Sequence, residues 1–208
     1  MPSVILKPGK ERRLVSGHPW VYAGEIAKIT GDPADGAEVD IRDFKERFHG
    51  RGLLNTKSKI IVRRFTTQKE ELDKSFFRRR LEAAIRYREE LGITSAGRRL
   101  VSSEGDLLPG LVLDQYGDHL VIQALTFGID KRKALIIGVV RELLQPKAGI
   151  ERSDVPSRKL EGLPEEKGVL WGETDGKVQL PFAEFSVEVN LLGDQKTGFF
   201  IDQRGNYA

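Results

Sequence analysis

With 208 residues, 39% hydrophobic and 31% charged, the chain can bury two modest cores, and no run approaches the ~18 apolar residues of a membrane helix. The absence of cysteine excludes disulfides, thiolate metal sites and a thiol nucleophile within these residues, and "MPSVILKPGK" lacks the long apolar stretch of an export signal, so a cytoplasmic location is expected. The net charge of +3 is uneven: residues 1–99 carry 22 Lys and Arg against 14 Asp and Glu, whereas residues 100–208 carry 12 against 17, so the first half is the candidate polyanion binder.

In chain order, "KERRLVSG" reads as a short helix stopped by Ser16-Gly17, and "HPWVYAGEI" cannot extend it across Pro19. "AEVDIRD" alternates Val39 and Ile41 with Glu38, Asp40 and Arg42, the period of a strand, and "FHGRGLLN" and "KIIVRRF" read likewise. Glycines 31, 36, 50 and 52 punctuate these runs as turns or close backbone approaches. Residues 1–72 are therefore expected to form a mostly β unit resembling a small barrel. From Ser75 the period changes: Phe77, Leu81, Ala84, Ile85 and Leu91 recur at helical spacing, with Gly92 as the stop. Arg78, Arg79, Arg80, Arg86 and Arg88 fall on the other face, and residues 73–97 are expected to bridge two domains.

Over residues 98–192, "GLVLDQYGDHLVIQAL" is two apolar runs around Gly117-Asp118, the signal of a hairpin. "IDKRKALIIGVVRELLQP" places Ile136, Val140, Leu143 and Leu144 on one helical face, with Asp130 as N-cap and Pro146 as stop. "GIERSDV" reads as a strand, and "EFSVEVNLL" alternates Phe185, Val187, Val189 and Leu191 with polar residues. The fold class expected is α+β: a β-barrel-like domain, then a small β-β-α-β-β domain, then residues 193–208 opening a further segment.

No complete active site is visible. His18, His49 and His119 match no zinc spacing, and neither a GxGxxG nor a GxxxxGK[ST] cradle is present. Glu165-Glu166 lies in a loop-like stretch without apolar surroundings to raise a pKa. Catalytic and metal-ligating residues are therefore expected to be absent, and no membrane or metal partner is expected. Asp202 could cap a helix of which a single turn is present, too little to repay nucleation, so the C-terminus reads as a cut.

The ordered segments "SGHPWVYAGEI", "GRGLLNTKSKIIVRRF", "EGDLLPGLVLDQYGDHLVIQ", "ERSDVPSRKLEGL" and "DQKTGFFIDQR" resemble the N-terminal half of the RlmI-like methyltransferases. These use S-adenosylmethionine to methylate C5 of a cytosine in large-subunit ribosomal RNA. The resemblance implies a PUA domain, then the β-β-α-β-β domain, then a Rossmann-like domain that carries the cofactor loop and the catalytic cysteine. C5 of cytosine is a poor nucleophile until a thiolate adds at C6, so these residues alone are expected not to catalyse. S-adenosylmethionine is the cofactor implied for the full-length enzyme, with none expected bound to this stretch. Ribosomal RNA is the implied partner. Such enzymes need an RNA-positioning surface, because the target base must be reached outside a duplex.

The candidate RNA contacts are Lys7, Lys10, Arg12 and Arg13, then His18 and Trp20, then Arg63 and Arg64, then Arg78 and Arg79. Against them stand plainer readings: Trp20 as core, the cations as a solvated face, and Arg63 and Arg64 on opposite sides of an alternating strand. Arg152, Asp154 and Arg158 are expected to brace the domain interface with salt bridges. For "KTGFFIDQR" the resemblance implies Thr197, Phe199, Gln203 and Arg204 near S-adenosylmethionine. Two alternatives stay open: a stand-alone PUA-type RNA-binding adaptor, and part of a methyltransferase for another base or RNA.

Overall fold

The computed structural model describes residues 1–181, 185–199 and 201. The first six strands are β1 (Ser3–Leu6), β2 (Trp20–Tyr22), β3 (Ile26–Thr30), β4 (Glu38–Arg42), β5 (Phe48–Leu54) and β6 (Ile60–Thr66). They form one curled sheet in the order β2-β6-β5-β4-β1-β3, antiparallel except where β1 meets β4. Its core gathers Val4, Leu6, Val21, Val39, Ile41, Leu54 and Val62, with Leu14 added by the single-turn helix α1 (Arg12–Val15). Where β5 shifts register against β6, a Cβ on Gly52 would lie 2.2 Å from the Arg63 carbonyl oxygen, so only glycine fits that approach. The alternation in β4 misleads at one residue. Asp40 is buried, accepting from Arg51 Nε and Arg42 NH2 at 3.0 Å each, because the polar side of the strand is covered as well as the apolar side.

Helix α2 (Lys74–Glu90) begins where Asp73 accepts the Phe76 amide at 2.8 Å, and it buries Phe76, Phe77, Leu81 and Ala84. Arg88, read as part of the polar face, is buried and ion-paired with Asp106, while Leu91 is exposed. Leu53, Phe65 and Leu72 join the same core as α2, so the first sheet and the helix share apolar packing.

The second sheet runs β11-β10-β9-β8-β7, built from β7 (Gly97–Ser102), β8 (Leu111–Tyr116), β9 (His119–Ala124), β10 (Ala148–Ser153) and β11 (Glu166–Trp171). The expected hairpin is present, with Tyr116 opposite His119 across Gly117. The crossover from β9 to its parallel neighbour β10 passes through α3 (Phe127–Asp130) and α4 (Lys133–Leu144). Asp130 does not cap α4. It ends α3, Arg132 holds the N-cap position, and the Asp130 carboxylate faces Arg158 and Lys133 instead.

Helices α2 and α4 cover one face of this sheet. The other face is covered by the hairpin β12 (Lys177–Pro181) and β13 (Ser186–Asn190), where Val178, Leu180, Val189 and Leu191 pack on Tyr116, Val121 and Ile150. The α+β class and the β-β-α-β-β order stand, with β7, β11 and β12 added. Each of the three hides its pattern: β7 opens on Gly97, Arg98 and Arg99, β11 is a half-exposed edge, and β12 ends in Pro181.

Candidate nucleic-acid interface and interdomain cleft

The turn from β1 into α1 presents the first cations. Lys7 Nζ donates to the Gly24 carbonyl at 2.9 Å. Arg13 pairs with Glu25 at 3.3 Å, contacts the His18 ring and lies 4.8 Å over the Tyr22 ring. Lys10 and Arg12 are exposed and have no ion pair among the described residues. Trp20 is half-buried, edge-on to His18 and Tyr22, and its Nε1 donates to Glu104 Oε1 at 2.9 Å. Its polar edge thus ties the first sheet to the second unit.

Strand alternation sends Arg63 and Arg64 to opposite sides of β6. Arg64 turns inward to the carbonyls of Leu14 and His49, at 3.0 and 3.2 Å, and burial pulls its guanidinium below its ordinary pKa. Arg63 crosses to the second unit, where Glu161 accepts from both of its terminal nitrogens at 2.8 and 3.2 Å. The Glu161 carboxylate also accepts from Ser58 Oγ at 2.6 Å and Asn55 Nδ2 at 3.0 Å. Arg78 pairs with Glu142 and Glu82, and Arg79 with Glu70, as surface ion pairs. Arg63 and Arg64 are therefore committed to the fold, for a reason local sequence does not carry: their acceptors come from other elements.

The brace expected of Arg152, Asp154 and Arg158 is supplied across the two sheets by Glu161. Arg152 binds Asp154 at 3.1 Å and the carbonyls of Leu191 and Asp194 at 2.8 Å each, fastening β10 to residues 191–194. Arg158 is fully buried within the second unit, donating to Asp130 at 2.9 Å and to the Pro164 carbonyl at 2.6 Å. Nearby, Asp130, Glu151 and Glu166 bring carboxylate oxygens within 4.8 Å of one another. The Lys133 ammonium already sits among them, at 2.6 Å from Glu166 and 2.9 Å from Glu151. Burial alone would lower the Lys133 pKa, but these hydrogen bonds and charges outweigh it and hold the ammonium above its ordinary value.

Thr197 is buried, donating to Asp114 at 2.6 Å and lying 3.0 Å from the Tyr116 hydroxyl, which also accepts the Phe199 amide at 3.3 Å. Burial first, and the Asp114 charge second, push the Tyr116 phenol up to about 12. Phe199 borders a cavity of about 640 Å³ that is also lined by Arg88, Arg98, Arg99 and Lys196. The Thr197 hydroxyl is thus engaged by the protein itself. Gln203 and Arg204 lie outside the described residues.

Between the two sheets lies a second cleft of about 640 Å³. The Arg63–Glu161 pair lines it, together with the apolar Tyr22, Ile60, Leu125 and Leu160 and the lysines Lys57, Lys59 and Lys159. No feature of the sequence marked these lysines, because they come from segments about a hundred residues apart.

A family model described as a PUA-like domain matches residues 4–67, which takes in all of the first sheet but Ser3. The chain is 38% identical to ribosomal RNA large subunit methyltransferase I of Tolumonas auensis and 41% identical to that of Shewanella amazonensis, over 99% of its own length in each case. Nearly the whole of this chain is thus similar to one half of these methyltransferases. It spans about half the length of these relatives, 53% of each. Among solved structures, a protein described as a SAM-dependent methyltransferase from Streptococcus mutans superposes with a TM-score of 0.80 at 19% identity, covering 99% of this chain and 53% of that one. A methyltransferase complexed with SAH does so with a TM-score of 0.80 at 18% identity, over 99% and 52%. At that identity the structures establish a shared fold.

Proposed function

We propose that these residues hold and orient ribosomal RNA for an S-adenosylmethionine-dependent methyltransferase that modifies C5 of a cytosine. The end-to-end identity to large-subunit methyltransferases I carries the reading. In it, residues 1–72 are the PUA domain, 73–97 the bridging helix, 98–192 the central domain and 193–208 the lead into a catalytic domain. Methyl transfer itself falls to residues outside this sequence, since attack at C6 requires a thiolate and the 208 residues include no cysteine. S-adenosylmethionine supplies the methyl group. Of this chain's residues, Phe199 on its cavity wall suits the cofactor's neighbourhood, whereas Thr197 supports it through Asp114 and Tyr116. The setting proposed is the cytoplasm; no described helix is long and apolar enough to cross a membrane.

Filter binding to structured ribosomal RNA across a salt series tests the reading. The affinity is expected to fall linearly on log–log axes, with a slope of about −0.7 to −0.9 per phosphate neutralised. An affinity indifferent to salt, or matched by an acidic control protein, would overturn it.

A further inference from the structure

We propose that the cleft between the two sheets seats one unpaired nucleotide of the RNA, its phosphate among Lys57, Lys59 and Lys159 and its base against Leu160. The inference rests on the RNA-holding reading above and assigns that reading a place. Of the two acids that line the cleft, Glu161 is ion-paired with Arg63, and Glu104 accepts hydrogen bonds from Trp20 Nε1 and Ser103 Oγ but keeps its charge. Lys57 and Lys59 are exposed and make no ion pair among the described residues. Among the described residues Lys159 pairs with Glu165 alone, at 3.0 Å in a solvent-exposed pair of the kind that contributes little. With Arg63 spent on Glu161, three lysines face one remaining lining carboxylate, Glu104, so the net charge of the lining is positive and favours an anion.

The apolar part of the ligand follows from Leu160. Leu160 is 70% exposed on the short 3-10 segment Pro156–Glu161, between Lys159 and the clamp residue Glu161 in sequence. Together with Ile60 and Leu125 of the same lining it offers apolar surface that a base could cover, and Ser103, Thr126 and Ser157 line the same space. A volume of about 640 Å³ lies inside the range of small-ligand pockets, roughly 300–1,000 Å³, and admits a nucleotide rather than a duplex. Sequence-specific recognition of RNA is directed mostly at such unstacked bases. The cleft is also preformed, because the buried Arg63–Glu161 clamp and the Trp20–Glu104 bond fix one wall against the other.

Fluorescence anisotropy with a labelled single-stranded oligoribonucleotide tests the proposal on three proteins: the unaltered chain, K57A/K59A/K159A, and the equal-charge control K28A/K45A/K69A, altered at exposed lysines outside the cleft. The cleft variant is expected to lose at least about tenfold in affinity and to flatten the salt slope by about 1 per lysine that contacts phosphate. The control should lose less than about threefold, and Leu160→Asp should abolish photocrosslinking of a thiouridine probe while the melting temperature holds. Equal losses in the two triple variants would overturn the cleft and leave RNA holding intact. Failure of the unaltered chain to bind any RNA would overturn both. Competition by poly-glutamate as effective as by the oligonucleotide would show the cleft to be a site for acidic peptide.

Discussion

Replacing Glu161 by Gln removes the negative charge that closes the two sheets on one another. Glu161 is 3% exposed, and its carboxylate takes hydrogen bonds from Arg63, Ser58 and Asn55 at 2.6 to 3.2 Å. The Arg63 side chain is itself only 13% exposed, so the variant strands a largely desolvated guanidinium. Breaking a buried pair from one side costs about 3–5 kcal/mol; the lower end applies here, because Arg63 keeps some water and Gln retains an acceptor oxygen. Urea unfolding followed by tryptophan fluorescence reads the effect well, since Trp20 reports from the interface and Trp171 from the second sheet. The variant should lose about 3 kcal/mol, with the Trp20 signal moving to lower urea than that of Trp171. In a double-mutant cycle with Arg63→Met, the pair should lose less than the sum of the single variants by about 1–3 kcal/mol. A single-variant loss below about 1 kcal/mol, or strict additivity, would refute the clamp.

Leu107 adopts φ 57° and ψ 31°, a left-handed conformation that costs an L-residue roughly 1–2 kcal/mol, and its side chain is 51% exposed. Leu107→Gly should therefore stabilise the fold by about 0.5–1 kcal/mol after the larger unfolded-state entropy of glycine is counted, raising the melting temperature in calorimetry. The fully buried Tyr116 ionises at about 12 in the fold against 10.0 for an ordinary tyrosine, so its contribution is fully present below pH 10 and is lost as pH rises towards 12. That gap corresponds to roughly 2–3 kcal/mol. Urea midpoints measured across this range should fall more steeply for the unaltered protein than for Tyr116→Phe, and parallel profiles would count against the assignment.

The elements that periodicity could reach were legible without coordinates. Val39 and Ile41, the apolar face of α2, and the hairpin about Gly117 are local patterns, set by how backbone geometry presents side chains to a core. The cationic bias of the first half and the family resemblance of the quoted segments were equally open to reading. What the tertiary structure decided was the destination of each charge. Arg63, Arg64 and Arg88 read as surface cations because a local pattern records spacing and omits partners; their acceptors lie up to 98 residues away. Asp130 looked like a helix cap from its position alone, yet Arg158 and Lys133 claim it from elements brought alongside by folding. The cleft has the same origin: Lys57, Lys59 and Lys159 become neighbours only when Glu161 locks one sheet to the other. Burial and pairing are properties of contacts, and contacts between distant residues exist only once the chain has closed on itself.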